Sequence, residues 1–207
     1  MRVAFHRQLG ELAREVVGLG WAILDNIGRA TDALVGYDIG LVDDVLAADD
    51  RIDALARQLE EDVVLVLVRE APVASELSYV ASLLRLAYEL ERCGDLMVNV
   101  ARVTHRLSGP LRETAVRAAL VDLAAKARAI FARALEIYEK NDVTDLDEAD
   151  DEVDAAHTLL LKELAEPGVD HRTIIALTIA GRCFERVGDH AVNLAKRSRL
   201  AAGVTFA

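Results

Sequence analysis

The sequence predicts an all-α protein made of two tandem three-helix bundles, six long helices related by an internal repeat. Three observations predict it. Alanine and leucine dominate a 207-residue chain that has only 3 prolines and 4% aromatic residues, which favours helices over a sandwich or barrel. Apolar residues recur at three- and four-residue steps over long stretches. The pattern of the first half then restarts in the second.

The first predicted helix covers about 5–35, with Leu9, Leu12, Val16, Leu19, Ile23, Ile27 and Leu34 along one stripe. Gly36, Tyr37 and Gly40 mark a turn. The second covers about 41–70, with Ile52, Leu55, Leu59, Val63 and Val66 as its seam, and Pro72 stops it. The third starts at 73 or 74 and runs to 107. Ser108-Gly109-Pro110 is the clearest linker, dividing the chain into a first repeat, 1–108, and a second, 109–207. The fourth helix covers about 111–140 and closes at Asn141-Asp142; the fifth covers about 145–166 and closes at Pro167-Gly168. Asp170 is the expected N-cap of the sixth, which reaches about 200. Helices of this length joined by short turns suit antiparallel bundles.

The repeat is explicit. At an offset of 101, Tyr37, Val42, Asp44, Asp49, Asp50 and Asp53 recur as Tyr138, Val143, Asp145, Asp150, Asp151 and Asp154. At an offset of 94, Glu91-Arg92-Cys93-Gly94-Asp95 recurs as Glu185-Arg186-Val187-Gly188-Asp189, and Asn99 as Asn193. The seven-residue change of offset is two helical turns, so the second and third helices of the first repeat can be longer with the same face buried.

There are 24 Lys and Arg against 35 Asp and Glu, a net charge of −11. That balance argues against nucleic acid and against an anionic membrane surface as partners, and favours cations or basic protein patches. The first eight residues lack the apolar core of a signal peptide, and the apolar run 63–68 is far short of the roughly 20 residues a spanning helix needs. Cys93 and Cys183 have no framework or metal spacing and read as buried thiols in a reducing compartment. A cytoplasmic protein, not integral to the membrane, is expected.

In the third helix of each repeat the seams are Leu83, Leu86, Leu90, Cys93, Met97 and Val100, and then Leu177, Ala180, Phe184, Val187, Ala191 and Leu194. At about 100° per residue, Glu91 and Asp95 lie on the side away from Cys93, as do Glu185 and Asp189 around Val187. Like charges at i,i+4 destabilise an isolated helix by a few tenths of a kcal/mol. A hard cation with oxygen ligands turns that repulsion into shared attraction. The second helices carry a further pair at the same spacing, Asp49 with Asp53 and Asp150 with Asp154, on the flank of their seams, where four carboxylates from two helices can meet. The competing reading is a solvated acidic face, with Arg92 paired to Asp95 and Arg186 to Asp189 at i,i+3. Gly94 and Gly188, costing roughly 1 kcal/mol each inside a helix, stand either for close approach of another helix or for a legacy of duplication. His157 and His190 lie beside acids and read as surface or hydrogen-bonding residues; as ligands they would make the second site more tolerant of zinc.

Phosphate loops, nucleophile elbows and His-Glu-x-x-His are absent, and the nearest approach to a di-iron motif is Asp154-Ala155-Ala156-His157, once. No enzymatic activity is expected.

Two three-helix repeats, each with Glu-Arg-x-Gly-Asp in its third helix and Asp-x-x-x-Asp in its second, resemble the PhoU family of phosphate-signalling proteins. The stretch from Glu185 to Ala195 is very close to the family pattern, and the resemblance covers nearly the whole chain. It implies a cytoplasmic, all-helical, often dimeric protein that negatively regulates phosphate uptake and the phosphate regulon. The implied partners are the phosphate ABC transporter, through its ATPase subunit, and a sensor histidine kinase. It also implies iron, zinc, manganese or magnesium, singly or in clusters. The ligands it implies are Asp49, Asp53, Glu91 and Asp95 in the first half, and Asp150, Asp154, Glu185 and Asp189 in the second. The expectation is a metal-binding adaptor; the alternatives are a carboxylate-bridged metal enzyme on a helical bundle and a purely structural scaffold.

Overall fold

A computed structural model describes residues 2–112 and 114–201. Six α-helices follow in order: α1 Arg2–Gly36, α2 Ile39–Glu70, α3 Ser75–Val103, α4 Thr114–Glu139, α5 Asp147–Leu164 and α6 His171–Ala201. Among the described residues there is no strand.

Local chemistry sets the ends. Asp38 caps α2, its Oδ1 accepting from the Gly40 and Leu41 amides at 2.9 and 3.2 Å. Ala71, left-handed at φ 42°, closes the same helix before Pro72. Asp170 caps α6 as expected, accepting from the Arg172 and Thr173 amides at 3.0 and 3.1 Å. The third helix stops earlier than the sequence suggests: a 3-10 turn, Thr104–Arg106, takes over after Val103 and delivers the chain to the linker.

The three-helix units form as predicted. α1, α2 and α3 pack together, as do α4 and α6 with α5, and the two units join where α3 meets α6 and α1 meets α4. All the predicted seam residues of α1, α3 and α6 are buried. In α2 one differs: Leu55 is exposed, and Ala56 takes its place between Ile52 and Leu59. A step of four residues from Ile52 keeps the stripe on the inward face, whereas a step of three drifts off it. Of the two helices expected to be longer in the first repeat, only the second is. α2 has 32 residues against 18 in α5, whereas α3 has 29 against 31 in α6. The insertion is in the second helix alone.

α2 and α5 therefore flank α3 and α6 on opposite sides of the molecule. Each pairing creates a groove into which the acidic flank of the second helix and the acidic face of the third both turn.

Candidate metal centre

The first groove is built around a glycine. A Cβ on Gly94 would lie 2.7 Å from Asp49 Oδ1 and 3.2 Å from Ile52 Cγ2. The second repeats the arrangement, with Asp150 Oδ1 and Val153 Cγ1 at 3.0 and 3.3 Å from the corresponding position on Gly188. Both glycines exist because the second helix comes close enough for its carboxylate to occupy the space of a methyl group. Close approach, rather than an inherited remnant of duplication, accounts for them.

The acids of each set act on one another in the same way. Burial, followed by the charges of Asp53, Asp95 and Asp50, pushes the Asp49 carboxyl up to about 6 against the pull of Arg102. Burial, then Asp95 and Asp53, also raise Glu91, with Arg92 opposing. In the second groove burial, then Asp189 and Asp154, raise Asp150 against Lys196. Glu185 is raised by burial, with Arg182 pulling against the rise and Asp189 and Asp154 adding to it. Thus Asp53 and Asp95 bear on both Asp49 and Glu91, and Asp154 and Asp189 on both Asp150 and Glu185. All eight predicted acids fall into two electrostatic neighbourhoods, each drawn from two helices.

The two neighbourhoods are not copies. Asp49, Asp53, Glu91 and Asp95 are all half-buried, whereas in the second set Asp154 and Asp189 are exposed. Arg92 lies 3.5 Å from Asp95, the predicted i,i+3 pair. The second repeat departs from that prediction: Arg182 pairs with Glu185, while Arg186 lines a cavity of about 380 Å³ with Asp150, Asp189, Asn193 and Lys196. The counterpart of Arg182 at the 94-residue offset is Tyr88, whose ring lies under the Arg92 guanidinium at 5.8 Å.

Two observations bear on whether a cation fits. Asp49 Oδ1 and Glu185 Oε2 are buried with no hydrogen-bond partner. A buried carboxylate oxygen without a donor is unfavourable, and a hard cation is the partner an all-oxygen set accepts. Among the described residues, no three His, Cys, Asp or Glu side chains stand close enough together to grip an ion as they lie. Holding an ion therefore needs these side chains to rotate toward one another.

His190 is bonded outside the acid sets, and His157 packs against α6. His190 Nδ1 lies 2.5 Å from Glu89 Oε2 on α3, and Arg197 reaches the other oxygen of Glu89 at 3.6 Å. His157 lies against α6, its Cδ2 3.2 Å from where a Cβ on Gly181 would be; burial, then Arg182, hold its pKa down. The hydrogen-bonding role of His190 was expected from its sequence; its partner, 101 residues away, was not legible locally. Arg102 and Lys196, which face the two acid sets, carry a signal the sequence does contain: they are counterparts at the 94-residue offset.

Tandem three-helix units, each with an acid-lined groove between its second and third helices, define an all-helical repeat protein of the kind the sequence resembled. The chain belongs to the PhoU family: the PhoU domain model matches residues 5–104 and 120–198. It is 32% identical over 203 residues to the phosphate-specific transport system accessory protein PhoU homolog 1 of Mycobacterium tuberculosis, covering 95% of this chain and 92% of that one. A PhoU homolog of the same description from Rhizobium meliloti is 30% identical over 200 residues, covering 93% and 84%. The crystal structure of PhoU from Pseudomonas aeruginosa matches with a TM-score of 0.86 at 27% identity, over 97% of this chain and all of that one (100%). The Streptococcus pneumoniae PhoU structure shares the fold, with a TM-score of 0.84 over 97% and 98% of the two chains, at 22% identity. Among the described residues no helix is long and apolar enough to cross a membrane.

Proposed function

We propose that this chain is an accessory regulator of phosphate transport that works by binding metal and protein partners rather than by turning over a substrate. Its relatives are named as accessory proteins of phosphate-specific transport, which supports the transport role. The observation that carries the metal reading is Asp49: its Oδ1 is buried beneath Gly94 without a hydrogen-bond donor, among Asp53 and Asp95.

Asp49, Asp53, Glu91 and Asp95 would hold one ion or cluster, and Asp150, Asp154, Glu185 and Asp189 another. A bound iron, zinc, manganese or magnesium ion would supply the positive charge and coordination these oxygens lack. The eight acids otherwise present two negative faces, which repel an acidic partner surface at a cost of several kcal/mol. Charge-balanced, the same residues accept partners they would otherwise repel. The partners proposed are the ATPase subunit of the phosphate ABC transporter and a sensor histidine kinase, contacted in the cytoplasm by a homodimer that represses uptake when phosphate is plentiful.

Elemental analysis of the purified chain after dialysis tests this reading. Bound metal is expected in the native protein and a marked loss in Asp95→Ala with Asp189→Ala, with helicity retained by circular dichroism. Full metal content in that double variant removes the ligand assignment. No metal in the native protein favours the scaffold reading, for which the Arg92–Asp95 pair already speaks. Capture of the transporter ATPase by the metal-loaded chain, lost with chelator, tests the docking step; phosphatase and oxidase assays on the loaded protein should show no turnover.

A further inference from the structure

α2 has an outer apolar face that the core does not use. At the 101-residue offset, the last residue of α5, Leu164, corresponds to Val63, and α2 continues for two further turns to Glu70. The inward side of this extension is accounted for, because Val66 is buried. Its outward side carries Val64, Leu65 and Val68, which are 48%, 42% and 75% exposed. The turn and first turn of α3 that follow add Val73 and Leu77 at the same corner, 66% and 45% exposed. One apolar face suffices to pack a helix onto a core. A second one, grouped and facing water, marks an interaction surface.

The border of the patch is acidic. Glu60, Glu61 and Glu70 are exposed on α2 beside it, and Arg69 is the single base in 60–70. On the α1 side, burial, then the charges of Asp62 and Glu11, hold the Glu15 carboxyl above its ordinary value. Glu60 also bears on Glu91, so the acidic border runs on into the first metal-centre groove. This charge decides between occupants. A second copy would set one acidic border against another, and an anionic membrane would be repelled in the same way. A helix with apolar anchors at i, i+3 and i+4 flanked by Lys and Arg satisfies both the apolar face and its border.

We infer that the corner formed by the end of α2 and the start of α3 docks a basic amphipathic helix of a partner protein. The apolar patch includes none of the eight acids, and the proposal does not depend on the metal reading. The test uses the intact chain and three synthetic peptides of about 18 residues, long enough to form a helix. One is a Leu/Lys amphipathic peptide, one its Leu/Glu analogue, and one a scrambled Leu/Lys sequence of equal composition. The Leu/Lys peptide should bind and shift the methyl resonances of Val64, Leu65, Val68, Val73 and Leu77. Val68→Lys and, separately, Leu77→Lys should each weaken that binding about tenfold, with the fold intact because both are surface changes. The proposal is overturned by no binding, by equal binding of the scrambled or Leu/Glu peptide, or by shifts confined to the acid grooves. It is equally overturned if Val68→Lys instead abolishes self-association or binding to phosphatidylglycerol vesicles.

Discussion

His190 on α6 holds Glu89 on α3 across the junction of the two repeats, Nδ1 to Oε2 at 2.5 Å, with both side chains largely buried. Arg197 takes the second oxygen of Glu89 at 3.6 Å. The repeat shows how singular this trio is. At the 94-residue offset the counterparts of Glu89, His190 and Arg197 are Cys183, Leu96 and Val103, all buried and none ionised. One side of the pseudo-symmetric junction is apolar and the other ionic, so the polar trio distinguishes α3 from α6. Such groups set register more than they add stability.

Glu89→Leu should therefore destabilise the chain by about 2 kcal/mol, because His190 and Arg197 are left buried without their acid. Copying the apolar side, by Glu89→Cys with His190→Leu and Arg197→Val, should recover most of that loss. Urea denaturation of the three proteins, native, Glu89→Leu and the triple variant, measures both effects. Full stability in Glu89→Leu alone would remove the trio from the account of the junction.

Gly94→Ala separates folding from cation binding. Alanine stabilises a helix interior by roughly 1 kcal/mol over glycine, while its methyl group forces Asp49 Oδ1 out of the position it holds over residue 94. The carboxylate swings away at modest cost, so net stability should change by less than about 1 kcal/mol. Metal content at the first centre should fall. Gly188→Ala, where the contact is looser, should show the same loss more weakly. Elemental analysis beside thermal melts reads the two quantities apart.

The raised carboxyls set the pH dependence of the metal-free chain. Asp49 titrates at about 6 when folded against 3.8 as a free side chain. Between those values the folded state binds the proton that the unfolded state has released, so stability falls as pH rises through the window. Glu91, Asp150 and Glu185 are shifted in the same direction. With chelator present, Tm should drop from pH 4 to pH 6.5, and Asp49→Asn should flatten the decline. Tm that climbs over that range by the same amount in both proteins would contradict the placement of Asp49.

Cation binding should reverse that penalty. A single-site ligand at one hundred times its Kd adds about 2.7 kcal/mol, which for a chain of this size is a rise in Tm of about 5–10 °C. Manganese or magnesium should give such a rise near neutral pH and less at pH 5, below the value of about 6 to which the Asp49 carboxyl is pushed up. Asp49→Asn with Asp95→Asn should remove the share due to the first centre. Calorimetric melts with and without metal decide it.

Much of this was legible in one dimension. The seams of α1, α3 and α6 and the grouping of the eight acids into two sets follow from helical period, which is a property of local chain geometry, and the cap at Asp170 from its residue type ahead of a helix. Leu55 shows the limit of that reasoning: steps of three and four from Ile52 are both helical, and only the line of approach of α2 chooses Ala56. Leu164 shows another, since the offsets reveal that seven residues were inserted but not that α2 alone took them.

By itself, then, the sequence determined the helices, the duplication, the inward faces of α1, α3 and α6 and the acids carried on the other sides, because all of these depend on residues a few positions apart. Tertiary structure alone decided that Asp49 fills the space of a missing methyl on Gly94, and that Glu89 finds His190 at a distance of 101 residues in the chain. It also decided which apolar residues of α2 remain in water. Those outcomes depend on how closely one helix packs on another, which is settled by the side chains of both and by the period of neither.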